Sequence, residues 1–264
     1  MLSSRSNLTK DKSEPAMAMD ETDEFSESGE PIYHHRDRKP FEIAEGNVEA
    51  ITRIGDHIEK HIGKILTVLH EIVSDTVHVD VNVVAPSESR NYYTLVTSGM
   101  SDRAMSAPAG MDSYRFAELA ICLPPNWRIS KEAFQNEDNY WPIRLLKDLA
   151  RLPHLHDSWL WVGHTVQNVP LGPYAPGTKL CAAMLAPPVW FDDAFGELII
   201  DDEKTIYFCA VVPIYLEEMN FKLKNSAQAL FEKLYGAGLA QVVNPSRKNL
   251  CKEKRRGFLS FLSS

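Results

Sequence analysis

Residues 77–84, "VHVDVNVV", limit what this chain can fold into more than any other stretch. Their strict two-residue alternation puts Val77, Val79, Val81 and Val83 on one face of an extended strand and His78, Asp80 and Asn82 on the other. In a helix, residues two apart lie about 200° apart, so the same valines would be split between opposite sides. The preceding "KILTVLHEIV" is rich in β-branched residues and is followed by "SD", which predicts two strands in a hairpin. The His-Asp-Asn face reads as the solvated side of an antiparallel sheet, with a catalytic edge as the alternative.

The same signals recur downstream. "NYYTLVTSG" and "RFAELAICLPPNW" read as short strands closed by the turns "SGMSD" and "PPNW", and "SWLWVGHTV", "TKLCAAMLA" and "KTIYFCAVVPI" as three more. Between them "NYWPIRLLKDLARLPHLHD" spaces Ile143, Leu146, Leu149 and Leu152 helically until Pro153. Two further helices are expected. One runs from an Asn47 N-cap through inward-facing Ile51, Ile54, Ile58 and Ile62 to a stop at Gly63. The other covers "LEEMNFKLKNSAQALFEKLYGAG" as a single element ending at Gly236. Strands outnumber helices and do not alternate with them, so the expected fold is α+β: a mixed, largely antiparallel β-sheet with packed helices in a single domain.

The first helix contains "HIEKH", which invites comparison with the His-Glu-x-x-His helix of zinc proteases. His57 and His61 share a face, but Glu59 lies about 160–200° away from them and cannot serve as a general base beside a shared metal. The pair is expected to be two surface histidines. A stronger candidate is "PHLHD", where His154 and His156 are two residues apart beside Asp157, with His164 nearby as a third ligand for a metal-dependent hydrolase. Other chemistry is missing. Neither phosphate-cradling glycine motif occurs, Ser98 in "VTSGMS" lacks the first glycine of a nucleophile elbow, and Asp201, Asp202 and Glu203 have no EF-hand spacing around them. Cys122, Cys181, Cys209 and Cys251 are far apart, which excludes a zinc knuckle or disulfide framework.

Charge divides the chain unevenly. Residues 41–244 carry 26 acidic and 16 basic side chains, a balance of about −10, while the last twenty carry one and six. Such a body repels phosphate backbones, arguing against a nucleic-acid partner, and steers a basic one toward itself. With no eighteen-residue apolar run and no signal-peptide start, stable membrane insertion is not expected and a cytoplasmic location is. Residues 1–39, rich in Ser, Asp and Glu, read as a disordered acidic tail, 40–249 as the folded domain, and 250–264 as a basic C-terminal tail. That tail, "KEKRRGFLSFLSS" at its end, is read as solvated, with a weak membrane contact as the alternative.

Taken together, "TLVTSGMSDR", "FAELAICLPPNW", "NYWPIRLLKDLARLPH", "WLWVGHTV", "TKLCAAMLAPP" and "VVPIYLEEMNFKLKNSAQALFEKL" resemble the suppressor of fused domain in its bacterial single-domain form, from about Pro40 to Asn249. The animal member is a cytoplasmic regulator that sequesters a transcription factor, so the resemblance implies a non-enzymatic protein-binding module with no cofactor and no metal. The animal protein clamps its peptide between two domains, and this chain is too short to hold the second. Bacterial relatives are proposed to be immunity proteins that neutralise toxins, which implies a basic toxin domain as partner. Ser98, Asp102, Trp127, Trp141 and His164 are the family-signature positions nominated for partner binding, and the two tryptophans are equally expected as core residues.

Overall fold

The computed structural model describes residues 24–34 and 37–252. The chain runs through β1 (Glu24–Phe25), β2 (Pro31–Ile32), α1 (Val48–His61), β3 (Ile65–Leu69), β4 (Asp80–Val84), β5 (Tyr93–Ser98) and β6 (Ala117–Leu123). It continues through α2 (Glu137–Leu155), β7 (Thr165–Gln167), β8 (Ala182–Ala186), β9 (Glu197–Ile199), β10 (Thr205–Ile214), α3 (Leu216–Lys224) and α4 (Ala227–Gly236). β1 and β2 form a separate hairpin, and the rest make one sheet in the order β3-β4-β5-β6-β10-β8-β7, with β9 beside the start of β10. Every neighbouring pair is antiparallel except β6 and β10. The fold is α+β, as the alternation implied.

The valine face of β4 packs, with Leu119, Ile121 and Leu185, against Ile143, Leu146 and Leu149 of α2. The other face is also covered, contrary to the expectation of a solvated side. α1 lays Ile54 and Ile58 over Val84, Val96 and Ala120, and α4 lays Leu230 and Leu234 over Ala182, Met184 and Val212. Asp80 and Asn82 are therefore buried, and each has partners: Asp80 meets His70 at 2.8 Å and His78 at 3.0 Å, while Asn82 Nδ2 donates to Ser98 Oγ. Strand alternation reports that the faces differ, not whether a helix will cover the polar one.

α1 starts and stops as its sequence dictates, with the Asn47 side chain accepting from Ala50 N and Gly63 at φ +141° just beyond. Ile54 and Ile58 are fully buried, whereas Ile51 and Ile62 are only partly covered. The histidine pair is not on the surface. His57 lies between Phe195 and Phe208, its Nε2 bonded to Phe195 O at 3.1 Å, and His61 meets Asp192. Burial lowers the His57 pKa, partly offset by the Phe195 bond. Glu59 does turn away from both and accepts the Ile65 amide.

Four further departures have local causes. α2 continues two residues past Pro153, because proline in the last turn forfeits one backbone hydrogen bond without clashing with enough of the helix to end it. The last expected helix is two, divided where Asn225 Nδ2 returns to Phe221 O and Ser226 caps the next by accepting from Ala229 N. Of "SWLWVGHTV" only Thr165 and Val166 are strand, in a β7 that ends at Gln167, and β9 forms in what read as loop. Finally, order begins before Pro40: the β1–β2 hairpin is fixed by Ser28 N to Leu223 O and by Glu30, which pairs with Lys222 at 2.6 Å and accepts from Ala227 N. Its hydrogen bonds go to α3 and α4, nearly two hundred residues away, which composition does not reveal. Residues 1–23 of the expected acidic tail and 253–264 of the basic tail lie outside the described residues.

Candidate functional site

A groove of about 1070 Å³ opens where α2, β7, α3 and the N-terminal hairpin meet. Leu145, Leu149, Leu152 and Leu155 of α2 supply its apolar wall; helical spacing puts them on adjoining faces of one helix, with Leu145 and Leu149 also part of the core beneath it. Facing them are Val166 of β7, Met219 and Leu223 of α3, and Tyr33 of the hairpin segment. β7 is the terminal strand of the sheet, so one of its edges has no sheet neighbour among the described residues. Exposed apolar side chains add to its lining: Phe41 is 61% exposed, Val73 71% and Val169 79%.

Charges along the groove are largely paired within it. Arg38 meets Asp75 at 2.7 Å, Arg151 and Lys147 both meet Glu71, Arg144 meets Asp148 at 3.7 Å, and Lys222 meets Glu30. Burial pushes the Glu71 pKa up, but the Arg151 and Lys147 cations outweigh it and hold the carboxyl below its usual range. Burial raises Asp148, with Arg144 opposing. A groove with internally satisfied charges presents chiefly apolar surface and strand edge to an occupant.

His164 lines this groove. Its Nδ1 accepts from Trp161 N at 3.3 Å, and its ring also bonds the Trp159 backbone, stands edge-on to the Trp159 ring at 5.0 Å and meets Tyr33 at 5.4 Å. Burial, with Lys222 nearby, lowers its pKa to about 4, so it is neutral at pH 7. The hydrolase reading fails on this geometry. His164 Nδ1 is taken by Trp161 N, His154 Nε2 is bonded to Met100 O at 2.9 Å, and His156 caps α2 instead of sharing an extended segment with His154. No group of three or more His, Cys, Asp or Glu able to hold a metal occurs among the described residues.

The other signature positions lie elsewhere. Ser98 is buried on Asn82, and Asp102 Oδ2 accepts the Asn47 amide at the start of α1. Trp141 is buried with its ring stacked 5.3 Å from Tyr174, and Trp127 meets it edge-on while donating to Asn139 O. Only His164 of the five lines the groove. The available sequence signals for the remainder were the unpaired apolar residues of "NVPLGP" and the tryptophan-rich "SWLW", neither of which indicates a groove by spacing alone.

Burial of His154 has a measurable consequence. Desolvation lowers its pKa from 6.5 to about 4, so between those values the unfolded chain binds a proton that the folded chain refuses. The stability it contributes is complete above pH 6.5 and falls as pH drops, by about 2 kcal/mol at pH 5. Denaturant midpoints at pH 7.5 and 5 should differ by at least this amount, since buried His164 and His57 shift in the same direction, and His154→Gln should remove only the His154 share of the difference.

These features define a class: an α+β protein whose mixed sheet is covered on both faces and in which a groove adjoins an edge strand. Residues 75–248 match the family described as Suppressor of fused protein (SUFU), and the chain belongs to that family. The fold agrees. It is similar to the crystal structure of a SUFU homolog from Neisseria gonorrhoeae FA 1090, with 17% identity, TM-score 0.58, and coverage of 79% of this chain and 100% of that one. In the Sufu-Fu complex structure the matched chain is 16% identical with TM-score 0.53, covering 76% of this chain and 92% of that one. Drosophila Suppressor of Fused gives 14% and 0.51, covering 81% of this chain but 52% of its own length. No curated protein matches the sequence. No helix among the described residues is long and apolar enough to cross a membrane.

Proposed function

We propose that the chain is a non-enzymatic protein-binding module, its folded body spanning about residues 40–249 with the hairpin as an added wall, and that the groove beside β7 takes an extended segment of a partner protein. The open groove against an edge strand carries this reading: main-chain hydrogen bonds to the strand supply affinity and the leucine-lined wall selects side chains. Membership of a family in which one structure is a complex, Sufu-Fu, supports it. The acidic body favours a basic partner, and neutralisation of a basic toxin domain in the cytoplasm is the role that best suits that charge. His164 is the signature residue we assign to the partner site, as a fixed neutral part of the groove wall.

The test compares affinity capture from source-cell extract by the full chain and by Val166→Arg, which puts a long cation into the groove. A basic protein recovered at near-equal amount by the parent and reduced at least tenfold by the variant is the expected result. A partner captured equally by both would move the interface away from the groove.

A further inference from the structure

The groove beside β7 has apolar surface from both sides of the sheet. Leu145 and Leu149 of α2 belong to the core on one face, whereas Met219 of α3 packs with the cluster on the other, and all three line the groove. A strand laid along β7 would be covered on both faces, which calls for a continuous apolar run and not an alternating one. The edge itself is free to pair. Asn168 N donates to Cys181 O and Leu185 N to His164 O, so alternation turns the backbone groups of Thr165 and Gln167 away from β8.

The last described residues lie close to this groove. Asn249 donates to Glu217 and the Leu250 amide to Glu218, both in the first turn of α3, and Leu250 packs in the cluster that holds Met219. The groove residues Met219, Lys222 and Leu223 follow within about 8 Å along the helix axis. Residues 253–264 then read "EKRRGFLSFLSS", and twelve extended residues span up to about 40 Å, enough to reach β7 and run along it. In extended form Phe258 and Leu262 share one face while Leu259 and Phe261 share the other, so "FLSFL" is apolar on both. Charge agrees as well. Lys254, Arg255 and Arg256 precede that run, the body carries about −10, and the Asp148 side chain in the groove is 63% exposed.

We infer that residues 258–262 of this chain lie along β7 in its own groove, as an internal competitor that a partner must displace. The inference rests on the groove being the partner site and adds its regulation: a partner's apparent affinity falls by the fraction of the time the groove is open. A basic partner with an apolar extended run would supply in trans what the tail supplies in cis.

The test uses the full chain and a full-length variant carrying Phe258→Asp and Phe261→Asp. Residue-resolved amide exchange should be at least tenfold faster at Thr165 and Gln167 in the variant, and the protection in the parent should not depend on protein concentration. A labelled synthetic peptide of residues 253–264 should bind the variant at least tenfold more tightly than the parent, whose groove is filled. Adding Val166→Arg or Leu155→Arg to the variant should abolish that binding; Leu155→Arg, at the last residue of α2, repeats the test away from the sheet. Protection that fades on dilution would place a second copy's tail in the groove and overturn the internal arrangement. Equal exchange in parent and variant, or peptide binding that ignores both groove substitutions, would overturn docking at β7. Neither failure touches the groove reading, which stands or falls on capture of an external partner with and without Val166→Arg.

Discussion

Replacing Arg247 by Ala should destabilise the protein by about 3–5 kcal/mol, because it strands the carboxylate of Glu218, which has no exposure to water. Arg247 donates to both Glu218 oxygens, at 2.7 and 2.5 Å, and to Pro213 O, and its guanidinium lies 4.9 Å from the Tyr215 ring centre. Glu218 also accepts from Tyr215 N and Leu250 N. One ion pair thereby ties the end of β10, the first turn of α3 and the segment after Val243 together. For a chain of this size each kcal/mol moves the midpoint by about 2–4 °C, so thermal unfolding should begin about 10 °C lower. Changing both partners, Glu218→Leu with Arg247→Met, should restore part of the loss, since no buried charge is left unpaired although the Tyr215 and Leu250 amides lose their acceptor. If the single and double variants melt alike, the pair's geometry is not what holds this corner.

Gly99→Ala should be at least as damaging. Gly99 has φ +115°, and an added Cβ would lie 1.7 Å from the His78 carbonyl oxygen, just before β4, a distance no side chain can occupy. The backbone must move, and with it the Gly99 amide that donates to Glu118. Glu118 is fully buried, its carboxylate held by Thr97, the Gly99 and Ser101 amides and the Ser101 hydroxyl; burial raises its pKa and those bonds oppose the rise. Losing one donor and the strand contact together is expected to cost more than about 4 kcal/mol. Gly110 makes the control: its φ is +85°, but nothing lies within 4 Å of an added Cβ, so Gly110→Ala should cost only about 1 kcal/mol. Equal losses at the two positions in urea titrations would show that backbone conformation, not the close approach to His78, dominates at Gly99.

The candidate site was only partly legible in the sequence. His164 stood out as a third ligand beside His154 and His156, so the signal pointed to a metal, whereas the structure bonds its ring to the backbone of Trp161 and Trp159. His154 looked like its partner on extended-chain spacing, but α2 carries His154 into the core against Met100. The groove itself draws on five separated segments, among them the hairpin, which composition read as part of a disordered tail.

By itself the sequence determined what is local. Alternation over 77–84 and its repeats specified strands, Asn47 and Gly63 bounded α1, and the scarcity of regular βα alternation specified an α+β sheet, because side-chain period and cap chemistry act within a few residues of the backbone they organise. Only the tertiary structure decided that Asp80, Asn82 and His57 would be buried, that Glu30 would find Lys222, and that His164 would line a groove. Those outcomes depend on which elements meet across the sheet. Burial is a property of both surfaces in contact, and the second surface lies tens to hundreds of residues away.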